Sequence, residues 1–287
     1  MSYKPDDKNL STEYKFVWGD EFDGDYLDAT KWGVYSKMEA NPEKGYFNDK
    51  DEKVIDVVDG NLKLTAYKDD DGNYHSPTSV ITQNTMNFKY GYVEIRAKLP
   101  LQVGVWSSFW AKSVADKSDV KSVVSTENRV VGEVDMFEVF NTNQVCGGII
   151  KWAENDWYPR GKDGLQRIVL NDDDYHIFGY EWTPEEIAMY CDGVLYARFD
   201  ITENWTNPGE YGKGKEGWTY LNADETGYDM SCFGDPQYLI FNNHMFYEGI
   251  SNANQYINIS NPNFKRADYL IDYCRVYQLD GQELYTK

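Results

Sequence analysis

The chain has 287 residues and a formal net charge of −20, from 48 acidic against 28 basic side chains. That length suits one large domain or two ordinary ones, and 41% hydrophobic with 16% aromatic residues excludes a disordered chain, which lacks the apolar surface to offset its conformational entropy. The acidity disfavours nucleic acid, whose phosphates need a basic stripe, and anionic membrane surfaces; no apolar run reaches the roughly 18 residues of a transmembrane helix.

The start, Met1-Ser2-Tyr3-Lys4-Pro5, has no apolar h-region, so no signal peptide is visible. Residues 1–14 are expected to be loosely ordered. Period-two apolar patterns then recur between turn residues. Residues 54–58 and 62–67 flank Asp59-Gly60-Asn61, a β-hairpin whose Asp-Gly supplies positive φ. A second turn reads Asp69-Asp70-Asp71-Gly72-Asn73, and residues 92–99 alternate cleanly up to Pro100. Residues 175–182 are strongly aromatic. Ile187, Met189 and Cys191 face Val194, Tyr196 and Arg198 across Asp192-Gly193, a second Asp-Gly hairpin. Residues 204–227 read as a long surface loop, and residues 238–241 and 269–273 are the last strands. No long segment has helical period, and neither repeats nor a linker divide the chain. Many short strands between turns predict one all-β domain over residues 1–287, a β-sandwich or jelly roll. Cys146, Cys191, Cys232 and Cys274 are too scattered for a zinc site or a disulfide framework; Cys191 and Cys274 read as small buried strand residues.

The stretch that carries chemistry is Gly132-Glu133-Val134-Asp135-Met136-Phe137-Glu138-Val139-Phe140. On a strand, residues i and i+2 share a face, so Glu133 and Asp135 point the same way. Glu138 falls on the opposite face under strict alternation. One extra residue, a β-bulge near Met136-Phe137, returns it to the acidic face. Three carboxylates on one face repel, so at least one pKa is expected to rise. A carboxylate beside a protonated carboxylic acid is the state that glycoside hydrolysis uses. Strand rise separates the Cα atoms of Glu133 and Glu138 by roughly 13–16 Å, so their side chains must lean together over Asp135, which a concave sheet permits. By itself the pattern also fits a solvated acidic strand face or a cation site.

The same stretch resembles the bulged E-x-D-x-x-E signature of family 16 glycoside hydrolases. Trp18-Gly19-Asp20-Glu21-Phe22-Asp23-Gly24 with Leu27-Asp28-Ala29-Thr30-Lys31-Trp32 is similar to the family's opening. Asp59-Gly60-Asn61-Leu62, residues 90–100, Gly104-Val105-Trp106-Ser107-Ser108-Phe109-Trp110, Phe178-Gly179-Tyr180-Glu181-Trp182-Thr183-Pro184 and residues 271–278 resemble later elements in the right order, covering about residues 16–279.

The resemblance implies a concanavalin A-like jelly roll with a concave cleft, and retaining endo-hydrolysis of a β-linked polysaccharide. By motif position Glu133 is the nucleophile, Glu138 the acid/base and Asp135 the assisting acid. Trp106 and Trp110 would line the cleft, where aromatic faces stack on sugar rings, although plain core is the alternative for either. Trp152 offers a further stacking surface. Asn48 and Asn242 are candidate hydroxyl-binding amides, and His244 either lines the cleft or is a hydrogen-bonded loop residue. No cofactor is required for the chemistry. A structural calcium site of the family would map onto Glu21, Gly60 and Asp272; oxygen ligands suit calcium, but salt bridges would explain the same acids. Two positions depart from the family pattern. Ile150 or Lys151 stands where many relatives carry a histidine, and Asn242-Asn243-His244-Met245-Phe246 replaces a glycine-bearing loop.

The expected substrate is a β-1,3- or mixed β-1,3/1,4-glucan. An endo-β-galactosidase on galactans is the alternative, and a sulfated galactan would need local cations, for which only Lys151, Arg160 and Lys162 lie near in sequence. A non-catalytic carbohydrate-binding sandwich predicts loss of an acid, and all three are present. A Ser or Cys enzyme finds no nucleophile motif beside His75, His176 or His244. The expected partner is a polysaccharide, with neither nucleic acid nor membrane, and the expected state is a monomer outside the cell, a cytoplasmic location staying open.

Overall fold

The structure is a computed structural model, and it describes residues 13–35, 39–41, 45–47, 53–114, 131–139, 143–152, 166–202, 231–245 and 263–287. Two antiparallel sheets face each other. In hydrogen-bonded order, the outer sheet runs β17 (Val194–Asp200), β16 (Glu186–Cys191), β15 (His176–Trp182), β10 (Gly91–Lys98), β19 (Arg266–Gln278), β6 (Asn61–Lys68), β5 (Lys53–Val58), β4 (Gly45–Phe47) and β3 (Glu39–Asn41). To it, β1 (Lys15–Asp20) adds on β19 and β7 (Tyr74–His75) on β6. The inner sheet runs β14 (Gln166–Val169), β13 (Gln144–Trp152), β12 (Val131–Val139), β11 (Val105–Ser113), β18 (Gln237–Met245), β8 (Ser79–Ile81) and β2 (Gly33–Tyr35). There β9 (Met86–Lys89) pairs with β18 and with β20 (Glu283–Thr286). Strands close in sequence and far apart in the sheets alternate in this way, the sandwich topology expected from many short strands.

Both Asp-Gly hairpins form. Asp59 and Gly60 have φ of 53° and 72°, and Asp192 and Gly193 have 50° and 76°. Positive φ at both central residues matches the twist of the flanking strands. Asn61, read as part of the turn, is instead the first residue of β6.

Between the sheets lies one continuous core. From the outer sheet it takes Leu62, Leu64, Val93, Ile95, Phe178, Tyr180, Trp182, Met189, Ile271 and Val276; from the inner sheet Phe109, Ala111, Val134, Phe137, Val145, Ile149, Leu239 and Phe241. Phe109 stacks on Phe241 with centroids 4.5 Å apart, and Phe137 reaches Phe178 of the opposite sheet at 4.6 Å. Such aromatic pairs contribute about 0.5–1.5 kcal/mol beyond their buried area. The core sets the parity of the inner sheet: residues 109, 111, 134, 239 and 241 point inward, so their neighbours point to the other face, where the site lies.

Tyr14, at the end of the segment expected to be loose, is buried against Tyr92 and Tyr277 and donates its hydroxyl to Glu181. All four cysteines are buried, Cys191 and Cys274 in strands as expected. No helix among the described residues is long and apolar enough to cross a membrane. The loop expected at residues 204–227 lies outside the described residues.

Candidate active site

The acids are placed by register. Along the β11–β12 ladder, Lys112 pairs with Glu133, Trp110 with Asp135, Phe109 with Phe137 and Ser108 with Glu138. Along β12–β13, Glu133 pairs with Ile150, Asp135 with Gly148 and Glu138 with Cys146. Both ladders skip at Met136-Phe137, so two residues there occupy the space of one, the geometry of a β-bulge. Met136 and Phe137 both belong to the core. The consequence is the one the spacing demands: Glu133, Asp135 and Glu138 all oppose residues on the non-core face and share that face of β12. They are 8%, 3% and 2% exposed, so they sit in a low-dielectric floor rather than on a solvated strand face.

Around them the floor is polar and ordered. The Trp106 indole N–H donates to Glu138 Oε1 at 3.0 Å. Trp110 donates its N–H to Asn242 Oδ1 at 2.6 Å, and Asn242 Nδ2 donates to the Ser108 hydroxyl at 2.6 Å. Both tryptophans are half-buried on the cleft face, outside the core. Trp106 therefore touches Glu138 directly. Asn242 thus orients the Trp110 ring, and its amide keeps a second N–H and a second oxygen lone pair beyond these two bonds. His244 pairs with Trp106 across β18–β11 and is exposed at the rim of this face. Crowding by neighbouring atoms lowers its imidazole pKa, an effect that its exposure to water moderates.

Lys112 was not among the residues expected here. It is only 5% exposed and stands beside Glu133. Burial pushes its ammonium pKa down, and the Glu133 carboxylate opposes that. The attraction is reciprocal, so Lys112 favours the ionised form of Glu133. Glu138 instead meets the Trp106 N–H and the Ser108 position. Two carboxyls in unequal electrostatic settings are what divided acid and nucleophile roles require. The sequence held only half of the signal: Trp106, Ser108, Trp110 and Lys112 share one parity of β11, and the register of β11 on β12 is what sets that lysine beside the acids.

The remaining expectations divide. Ile150, not Lys151, opposes Glu133, so an apolar side chain stands where the histidine was expected. Trp152 pairs with Val131, at the register that shares the face of Ile150; the side chains of Lys151 and Trp152 lie outside the described residues, as do Asn48, Arg160 and Lys162. Glu21 and Asp272 lie on the outer sheet, away from the cleft. Both Glu21 oxygens accept from Arg275, at 2.9 and 2.8 Å, and Asp272 accepts from Arg96 at 2.6 Å. Gly60 occupies the turn between β5 and β6. With each carboxylate already compensated by an arginine, this donor set does not fit a calcium ion as it stands. His75 and His176 are paired with Asp69 and with Asp172 and Asp192. Burial raises the thiol pKa of Cys146, Cys191 and Cys274, the opposite of an activated nucleophile.

A two-sheet antiparallel sandwich with carboxylic acids and tryptophans together on the non-core face of one sheet is the arrangement of a jelly-roll glycoside hydrolase. The family model "Glycosyl hydrolases family 16" matches residues 42–230. The chain belongs to that family. It is 28% identical to a beta-glucanase of Rhodothermus marinus over 95% of this chain and 88% of that protein. It is also 28% identical to glucan endo-1,3-beta-glucosidase A1 of Niallia circulans, over 63% of this chain and 28% of that longer protein. Among solved structures, the laminarinase catalytic domain from Thermotoga maritima MSB8 superposes with a TM-score of 0.61 at 24% identity, covering 93% of this chain and 98% of that one.

Proposed function

We propose that this endo-acting β-glycan hydrolase cleaves β-1,3- or mixed β-1,3/1,4-glucan with retention of anomeric configuration. The observation that carries the reading is the bulged β12 ladder, which turns Glu133, Asp135 and Glu138 onto one buried face. The match to a beta-glucanase along nearly the whole chain supports the choice of glucan.

In the proposed reaction, Glu133 is the nucleophile. Its carboxylate, held ionised by Lys112, attacks the anomeric carbon while Glu138 gives its proton to the departing glycosidic oxygen. The product is a glycosyl ester on Glu133. Glu138, now a carboxylate, takes a proton from water as the water attacks the same carbon, which frees Glu133 and restores the acid. Retaining enzymes keep the two carboxyls about 5–5.5 Å apart; the bulge shortens the distance that flat strand geometry would impose. Asp135, between them, shares its charge with both. Trp106 holds Glu138 by its N–H and, with Trp110, offers ring faces to the sugar. The reading places the protein outside the cell, as a monomer acting on a polysaccharide.

The test is product analysis on laminarin, barley β-glucan, agarose and carrageenan, with Glu133→Gln and Glu138→Gln beside the wild type. Oligosaccharides from a glucan, lost by at least about 10³-fold in Glu133→Gln, are expected. Cleavage of a galactan alone would overturn the substrate, and wild-type rates in Glu133→Gln would overturn the mechanism.

A further inference from the structure

The bulge in β12 has a partner in the opposite sheet. In the β16–β17 ladder, Met189 pairs with Ala197 and Tyr190 with Leu195, so Tyr196 is an extra residue. Strict alternation from the inward-facing Ala197 would turn Tyr196 outward. The local bulge turns it inward instead, and it joins the core at 7% exposure. Its hydroxyl donates to the backbone carbonyl of Met136. Met136 is skipped by both β12 ladders and has no paired residue in either neighbouring strand. A buried carbonyl needs a partner, and Tyr196 supplies it from the facing sheet.

The strand opposite the bulge makes room for the contact. Gly147 of β13 lies between Gly148, the partner of Asp135, and Cys146, the partner of Glu138. A Cβ built on Gly147 would stand 2.6 Å from Met189 Sδ, 3.0 Å from Tyr196 Cε2 and 3.1 Å from Ala197 Cβ. Any side chain at 147 would push the ring away from the bulge. Burial raises the hydroxyl pKa well above its ordinary value, so the proton is in place at any working pH.

We propose that Tyr196 is a positioning residue for Glu138: by tying down the bulged Met136 carbonyl across the core, with Gly147 left bare to admit its ring, it holds the register in which the acid/base reaches the cleft. This rests on the glycosidase reading above. Tyr196 touches no substrate; it acts through the geometry of residues 136–138.

The test is Tyr196→Phe, which keeps the ring and removes only the O–H, with Gly147→Ala as the second variant. Two donors separate acid catalysis from general damage: a β-1,3-glucan, whose leaving group needs protonation, and a dinitrophenyl β-glucoside of the same chain, whose leaving group does not. General acid catalysis contributes about 10²–10⁴-fold. A partly misplaced Glu138 should therefore lower kcat/KM on the glucan by about ten- to a hundredfold and leave the aryl donor within about threefold, with far-UV circular dichroism unchanged. In a Glu138→Gln background, Tyr196→Phe should add no further loss on the glucan, since residues that act as a unit are not additive. Equal loss on both donors, no loss on either, or full additivity with Glu138→Gln would overturn the proposal while leaving the glycosidase reading intact. If Tyr196→Phe does not fold, the same comparisons on Gly147→Ala decide. A wild type that turns over neither donor would sink the glycosidase reading and this proposal with it.

Discussion

At the scale of single residues, the charge balance of the site turns on Lys112. Three carboxyls on the cleft floor, each under a tenth exposed, would repel strongly in so dry a place. Lys112 from β11 sets a cation against Glu133; Asp135 and Glu138 face it from its own strand, Ile150 from β13 carries no charge, and Tyr238 of β18 pairs with Lys112 itself. Removing that cation makes Glu133, the proposed nucleophile, harder to ionise. The expected result for Lys112→Met is therefore that the acid limb of the kcat/KM profile moves to higher pH, by about one unit or more, while the alkaline limb stays. Lys112→Arg should restore the position of the limb. A pH–rate series checks this, and an unmoved limb in Lys112→Met would show that the pair does not govern ionisation. The acids were legible in the sequence because their i, i+2 spacing is a local property of one strand. The pairing of Glu133 with Lys112 was not, because it depends on which strand lies beside β12 and in what register.

At the scale of elements, β12 was legible down to its defect. An odd separation between Glu133 and Glu138 cannot satisfy one face without an extra residue, and both ladders place it at Met136-Phe137. The Asp-Gly hairpins were equally legible, since few residues tolerate two successive positive φ values. Strand β20, Glu283–Thr286, was missed: its residues are mostly exposed and polar, so no alternation marks them, and pairing with β9 alone makes the strand. The start of β19, Arg266–Asp268, was also missed, because Arg266 and Asp268 are charged and carry no apolar alternation, whereas residues 269–278 were read as strand. The start of β12 has a further constraint. A Cβ on Gly132 would lie 2.9 Å from the Cys232 carbonyl and 3.0 Å from Phe233 Cδ1, atoms of the 3-10 turn Ser231–Gly234. Backbone does not move aside as a flexible side chain does. Gly132→Ala is expected to lose about 1–3 kcal/mol, the usual cost of overpacking, and thermal or denaturant unfolding reads it. Stability equal to the wild type would mean that the turn shifts freely.

At the scale of the whole molecule, the sandwich buries its thiols and pairs two acids of its outer sheet with arginines. All four cysteines are buried, so a thiol reagent should find none under native conditions within minutes and all four in denaturant. Rapid native labelling would show that the sandwich opens readily. On the outer sheet, Arg275–Glu21 and Arg96–Asp272 occupy the acids of the expected calcium site. Melting temperatures in excess calcium and in EDTA are accordingly expected to agree within about 1 °C, well inside the shift that about 1 kcal/mol would cause. A larger calcium-dependent rise would show that the ion displaces the arginines.

By itself the sequence determined the all-β class, the two Asp-Gly turns, the acidic strand with its bulge and, through the order of its motifs, the family. These are properties of neighbouring residues: strand parity, turn dihedrals and spacing act over a few positions. Only the tertiary structure decided that Lys112 meets Glu133, that Trp106 holds Glu138, that Asn242 serves Trp110, and that Tyr196 reaches Met136 from the other sheet. Those contacts join residues from 21 to 132 positions apart in the chain, and which strands meet is set by how two whole sheets bury their apolar faces against each other.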